Sequence, residues 1–186
     1  MGNIAKTLLA SLIVTVMANH AWAATQGTLG ATSQGSANIS ITKSLQAQIT
    51  GIDDMTLANW SIGDGAVTLT SDVCIYSSTG SYTVRATGSG AANAFTISSG
   101  ANAIIYGVVW NSGGAGNLAN TGATLVTNIA SATLNNADTG SATCSGGGAG
   151  NDTARIVVSI TDIAMGAAPS SATPYTGTLT LLITPI

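Results

Sequence analysis

The chain contains no glutamate, and its one histidine, His20, falls among the first 23 residues. Beyond residue 23 the cations are Lys43, Arg85 and Arg155. They face seven aspartates, Asp53, Asp54, Asp64, Asp72, Asp138, Asp152 and Asp162, for a net charge of −4. Cysteine occurs twice and phenylalanine once. Each shortage excludes something. Without His, Glu or a spare thiol, few general bases or activated nucleophiles remain, so the expectation is no enzyme and no catalytic residue. Metal centres built on His and Cys are excluded on the same ground, and no cofactor is expected. Three scattered cations make no phosphate-tracking patch, so nucleic acid is not an expected partner. No Gly-rich stretch ends in GK[ST], so no phosphate loop is indicated. So few charges suit an assembled surface better than a free monomer.

Residues 1–23 read as a secretory signal. Lys6 supplies the positive start, "TLLASLIVTVM" (Thr7 to Met17) the apolar run, and Ala21 and Ala23 of "AWA" the small residues of a cleavage site. The run is short for a membrane span, which leaves an uncleaved anchor as the lesser reading and stable membrane insertion unexpected. The expected mature chain is Ala24 to Ile186, 163 residues, enough for one domain with a real core. In an exported chain, Cys74 and Cys144 most simply form one disulfide. It would close a loop of about 70 residues and stabilise by roughly 4 kcal/mol on the chain-entropy account. No CxxC and no neighbouring cation argue a redox role.

What the chain does have is short alternating runs between Gly-, Ser-, Asn- and Thr-rich turns. "AVTLT" (Ala66 to Thr70) alternates, and "DVCIYS" sets Val73 and Ile75 against Cys74 and Tyr76. "SYTVRAT" turns Tyr82, Val84 and Ala86 inward. "AFTIS", "ATLVT" and "ASATL" are weaker, while "AIIYGVVW" (Ala103 to Trp110) is apolar throughout, as a strand buried on both faces would be. "ARIVVSITDI" aligns Ile156, Val158 and Ile160, and "YTGTLTLLITPI" alternates Tyr175, Gly177, Leu179, Leu181 and Ile183 with threonines. No long amphipathic helix is indicated. The pattern predicts an all-β antiparallel sandwich without linkers.

Several motifs are weaker than they look. "GGAGND" (Gly147 to Asp152) matches part of a calcium-binding nonapeptide that works only in tandem, and it occurs once. A loop beside Cys144 is the better reading. Asp53, Asp54 and Asp64 lack EF-hand spacing and read as solvated turns within "GIDDMTLANWSIGDG" (Gly51 to Gly65). The sequons at Asn38, Asn59 and Asn151 matter only in a eukaryotic secretory pathway. Trp60 and Trp110 read as core residues rather than sugar platforms.

The longest alternation comes first. From Gly27 to Thr50 the odd positions are small or apolar except Ser33 and Lys43. As a single strand it would span roughly 80 Å, far beyond ordinary strand length. A break at Lys43 divides it into the domain's own first strand, Ser44 to Ile52, and a preceding segment, Gly27 to Thr42, without a partner nearby in sequence. An unpaired terminal strand either folds back into its own sheet or adds to the edge of another molecule.

The segments "GIDDMTLANWSIGDGAVTLTSDVCIYSSTGSYTVRATGSG", "AIIYGVVW", the Cys144 loop and "YTGTLTLLITP" are spread from Gly51 to Pro185, a span that takes in most of the mature chain. On them the chain resembles the spore coat U family of secreted proteins, which includes the archaic chaperone–usher pilins of Gram-negative bacteria. One departure is visible: many members carry an extra cysteine in the first domain strand, and Ser44 to Ile52 has none. The resemblance implies an incomplete immunoglobulin-like antiparallel sandwich, residues 44–186, completed by a donated N-terminal strand, residues 24–43. Leu29, Ala31, Gly35, Ala37, Ile39 and Ile41 would be the donor face. Tyr175, Gly177, Leu179, Leu181 and Ile183 would edge the acceptor groove. The implied partners are identical or related pilin subunits, with a periplasmic chaperone and an outer-membrane usher during assembly. One domain with an extension implies a shaft or adaptor subunit of a fibre exported through the periplasm to the cell surface, used in adhesion or biofilm formation. A non-polymerising secreted coat or binding protein of the same fold is the alternative.

Overall fold

In a computed structural model the described residues are 24–144 and 150–186. The expected signal, residues 1–23, and the first three residues of "GGAGND" lie outside them. The chain divides into two units, Met1–Lys43 and Ser44–Ile186.

Within Ser44–Ile186 the fold is all-β and antiparallel. β1 (Ala47–Thr50), β2 (Val67–Ser77), β8 (Ala154–Ile160), β6 (Gly107–Asn111) and β7 (Ala123–Thr124) form one sheet in that order. β3 (Tyr82–Gly88) pairs with β9 (Leu179–Pro185), and β4 (Thr96–Ser99) with β5 (Asn102–Ile105). The core collects Val73 and Ile75 from β2, Tyr82, Val84 and Ala86 from β3, Val108 and Trp110 from β6, and Ile156, Val158 and Ile160 from β8. These are the inward faces that period-two alternation marks. Trp110 and Tyr82 meet edge-on with ring centroids 6.4 Å apart, and the indole Nε1 donates to the Tyr82 hydroxyl at 3.1 Å. A buried polar pair is thereby satisfied where the β2–β8–β6 sheet faces β3. Trp60 is half-buried against the same core, its Nε1 donating to the Gly65 carbonyl at 2.9 Å.

Three elements differ from the sequence reading. "AVTLT" and "DVCIYS" are one strand, β2, because Ser71 between them is buried and its hydroxyl accepts from the Asp53 N–H at 3.1 Å. β2 pairs with β8 over Val67 to Val73 and with β1 over Cys74 to Ser77. The run "AIIYGVVW" is not buried on both faces along its length: Ile104, Tyr106, Val108 and Trp110 are buried, whereas Ile105 is 71% exposed. It passes from one ladder to another at Tyr106, whose N–H still reaches the Phe95 carbonyl at 2.9 Å while Gly107 begins the pairing with β8. A Cβ on Gly107 would stand 3.0 Å from the Ser159 hydroxyl, so glycine suits the crossing. Finally, "TDI" leaves the strand after Ile160 and opens a short helix, α1 (Asp162–Ala167). The Thr161 side chain accepts from the Ala164 N–H at 3.2 Å, as an N-cap does.

Cys74 and Cys144 are joined, with S–S 2.03 Å and Cα atoms 5.7 Å apart. Both are buried. The bridge ties β2 to the segment that follows Asp138, which itself pairs with β2 through the Ser77 and Asp138 N–H groups.

Candidate functional site

β1 and β9 are the edges that matter. Among the described residues β1 is the first strand of its sheet and pairs only with β2, while β9 pairs only with β3. The two strands run close together without sharing a ladder. Along β9 the antiparallel register runs from Tyr82 opposite Pro185 to Gly88 opposite Leu179. Leu179, Leu181 and Ile183 face the core but are only half-buried, as is Ile49 of β1. Such side chains have given up part of their water without gaining full packing. Full burial of an aliphatic side chain is worth about 1.5–3 kcal/mol, so a strand laid over them would recover the remainder. The second edge of β9 carries backbone N–H and C=O groups with no ladder partner among the described residues.

Of the residues expected at the groove edge, Leu179, Leu181 and Ile183 lie on β9. Tyr175 and Gly177 precede β9 and belong to a segment held by β4: the Ser98 N–H donates to the Thr176 carbonyl at 2.8 Å, and the Thr176 N–H to that of Ser98 at 3.0 Å. The Tyr175 hydroxyl donates to the Pro169 carbonyl at 2.8 Å. A Cβ on Gly177 would meet the Thr96 carbonyl oxygen at 2.8 Å, so this glycine permits close backbone approach rather than lining an open edge. Ile49 was not singled out from the sequence, although its place in the alternation Leu45, Ala47, Ile49 was the available signal.

Every residue from Ala24 to Lys43 is exposed, Leu29 completely and Ile39 and Ile41 each 88%. Thr25 and Ser36 form an antiparallel bridge with reciprocal hydrogen bonds of 2.9 and 3.0 Å. Leu29, Ala31 and Gly35 therefore lie in a closed loop, and Ala37, Ile39 and Ile41 lie beyond it.

Charge keeps away from these edges. From Ser44 to Thr50, and from Tyr175 to Ile186, there is no Asp, Glu, Lys, Arg or His. An ion pair stands on the β2–β8 ladder: Asp72 faces Arg155 in register and accepts from it at 2.5 and 2.9 Å. The guanidinium holds the Asp72 carboxyl below its ordinary value despite some desolvation. Asp152 is pushed up, first by burial and then by the charges of Asp72 and Asp53. Among the described residues, no three His, Cys, Asp or Glu side chains group as metal ligands.

No family model, curated protein or solved structure matches this chain.

Proposed function

We propose that the protein is a structural shaft or adaptor subunit of a chaperone–usher surface pilus. On this reading residues 44–186 form an immunoglobulin-like sandwich short of one strand, and it polymerises by donor-strand exchange. One observation carries the reading. The chain carries both an edge strand, β9, whose apolar face is half-open, and an N-terminal extension whose own alternating apolar face is exposed. One is what a sheet lacks, and the other is what a donated strand supplies. The donor passes from one copy to the next, so the fibre is a homopolymer or is built with related pilins. A periplasmic chaperone covers the edge of β9 before an outer-membrane usher joins subunits. The assembled fibre stands on the cell surface of a Gram-negative bacterium and serves attachment or biofilm formation. The disulfide supports export to an oxidising compartment.

Deleting Ala24 to Thr42 tests this. The truncated chain is expected to bind chaperone and fail to extend a fibre. Continued polymerisation without those residues would remove the donor role and leave a self-contained secreted coat or binding protein.

A further inference from the structure

We propose that the extension has two parts with different work: a terminal loop, closed by Thr25 and Ser36, that stays closed on assembly, and a working strand, Ala37–Lys43, that alone enters the edge of β9 on a second copy of this chain. This rests on the donor-strand reading and narrows it.

Three observations point the same way. Thr25 and Ser36 exchange both backbone hydrogen bonds, at 2.9 and 3.0 Å. The flanking glycines make that approach possible: a Cβ on Gly35 would stand 3.0 Å from the Thr25 carbonyl oxygen, and one on Gly27 would overlap the Ser33 hydroxyl. Composition then changes at the bridge. Residues 27–35 carry Gly27, Gly30 and Gly35, which weaken a strand, with Ser33 interrupting the apolar face. Residues 37–41 place Ala37, Ile39 and Ile41 on one face, two of them β-branched. Lastly the lengths agree. β9 offers seven residues, and the chain from Ala37 to Lys43 has the same number.

A closed loop is wider than a single strand. It stops the working strand from sliding along β9 toward its own C-terminus, a movement that would draw the loop into the edge. Register matters because a one-residue slip turns Ile39 and Ile41 to solvent. The loop therefore serves as a register stop, and Leu29 and Ala31 lie outside the joint.

The test is a lock. A hydrogen-bonded antiparallel pair holds its Cα atoms about 5.5 Å apart, within the roughly 4.4–6.8 Å that a disulfide spans. Thr25→Cys with Ser36→Cys, its pairing confirmed by peptide mapping, is compared oxidised and after selective reduction on an unboiled denaturing gel beside the unaltered protein. Equal ladders from the oxidised, reduced and unaltered proteins are expected. A ladder lost on oxidation and restored on reduction would show that the loop must open, and would overturn the proposal. A ladder in the unaltered protein but in neither form of the variant would overturn it too, because the loop's side chains would then be part of the joint. No ladder even from the unaltered protein would remove the donor reading itself, and this inference with it. In a second variant, Leu29→Asp is expected to keep the ladder and Ile39→Asp to lose it; equal loss from both would contradict the division at Ser36.

Discussion

Tyr82 and Trp110 share a fully buried contact, and each depends on the other's polar atom. Tyr82→Phe removes the acceptor and leaves the indole N–H buried without a partner, which costs about 1–3 kcal/mol. Chemical denaturation of the variant should show a lower midpoint at an unchanged slope. Burial also pushes the Tyr82 phenol up to about 12, only partly offset by donation from Trp110. An unfolded phenol titrates near 10. The folded state therefore holds its proton more tightly: stability is complete below about pH 10 and falls by roughly 3 kcal/mol as pH rises toward 12. Thermal melts at pH 9 and pH 11.5 check this, and Tyr82→Phe should flatten the difference. Asp72 works in the opposite sense. Its carboxyl is lowered by the Arg155 hydrogen bond, so its contribution is present above the ordinary carboxylate range and disappears as pH falls through the folded value. The pair is partly exposed, and Arg155→Ala should cost only about 0.2–1 kcal/mol. The inward set Tyr82, Val84 and Ala86 was legible in the sequence because alternation alone sorts the two faces of a strand. The Asp72–Arg155 pairing was not, because it depends on the register of strands far apart in sequence.

At the scale of elements, what the sequence hid was continuity. A buried serine looks like a strand break until its hydroxyl finds a partner, as Ser71 does with the Asp53 N–H, so β2 read as two pieces. An unbroken apolar run looks buried on both faces until it changes ladders, as "AIIYGVVW" does at Tyr106. α1 was announced only by Thr161 and Asp162, and a helix this short has too few turns to show a period. The end of the chain was legible as a strand but not in its extent. Tyr175 and Gly177 continue the alternation, yet β4 claims the backbone of Thr176 between them. Gly177→Ala is accordingly expected to strain the β4 contact and cost about 1–3 kcal/mol, which a thermal melt would register. β9 should be sensitive by face. Leu181→Asp should weaken assembly far more than Thr180→Asp, because Leu181 lines the half-open face and Thr180 points to solvent. Equal effects on the polymer ladder would contradict the orientation of β9. In the extension, Ile39→Asp should likewise outweigh Asn38→Asp.

For the whole molecule, uncharged edges have a consequence. A joint between β9 and a strand whose ionisable group is Lys43 gains little from ion pairing, so assembly should vary little with salt, as sedimentation across ionic strength would show. The buried disulfide should matter to every step, since reducing it releases a loop of about 70 residues and forfeits roughly 4 kcal/mol. The most direct measurement is an unboiled denaturing gel of the purified protein beside a boiled sample. Strand donation between copies predicts a ladder of multimers that collapses to one band on boiling. A single monomer band in both lanes, with a cooperative melt of the free chain, would contradict it: the edge of β9 would then need no partner.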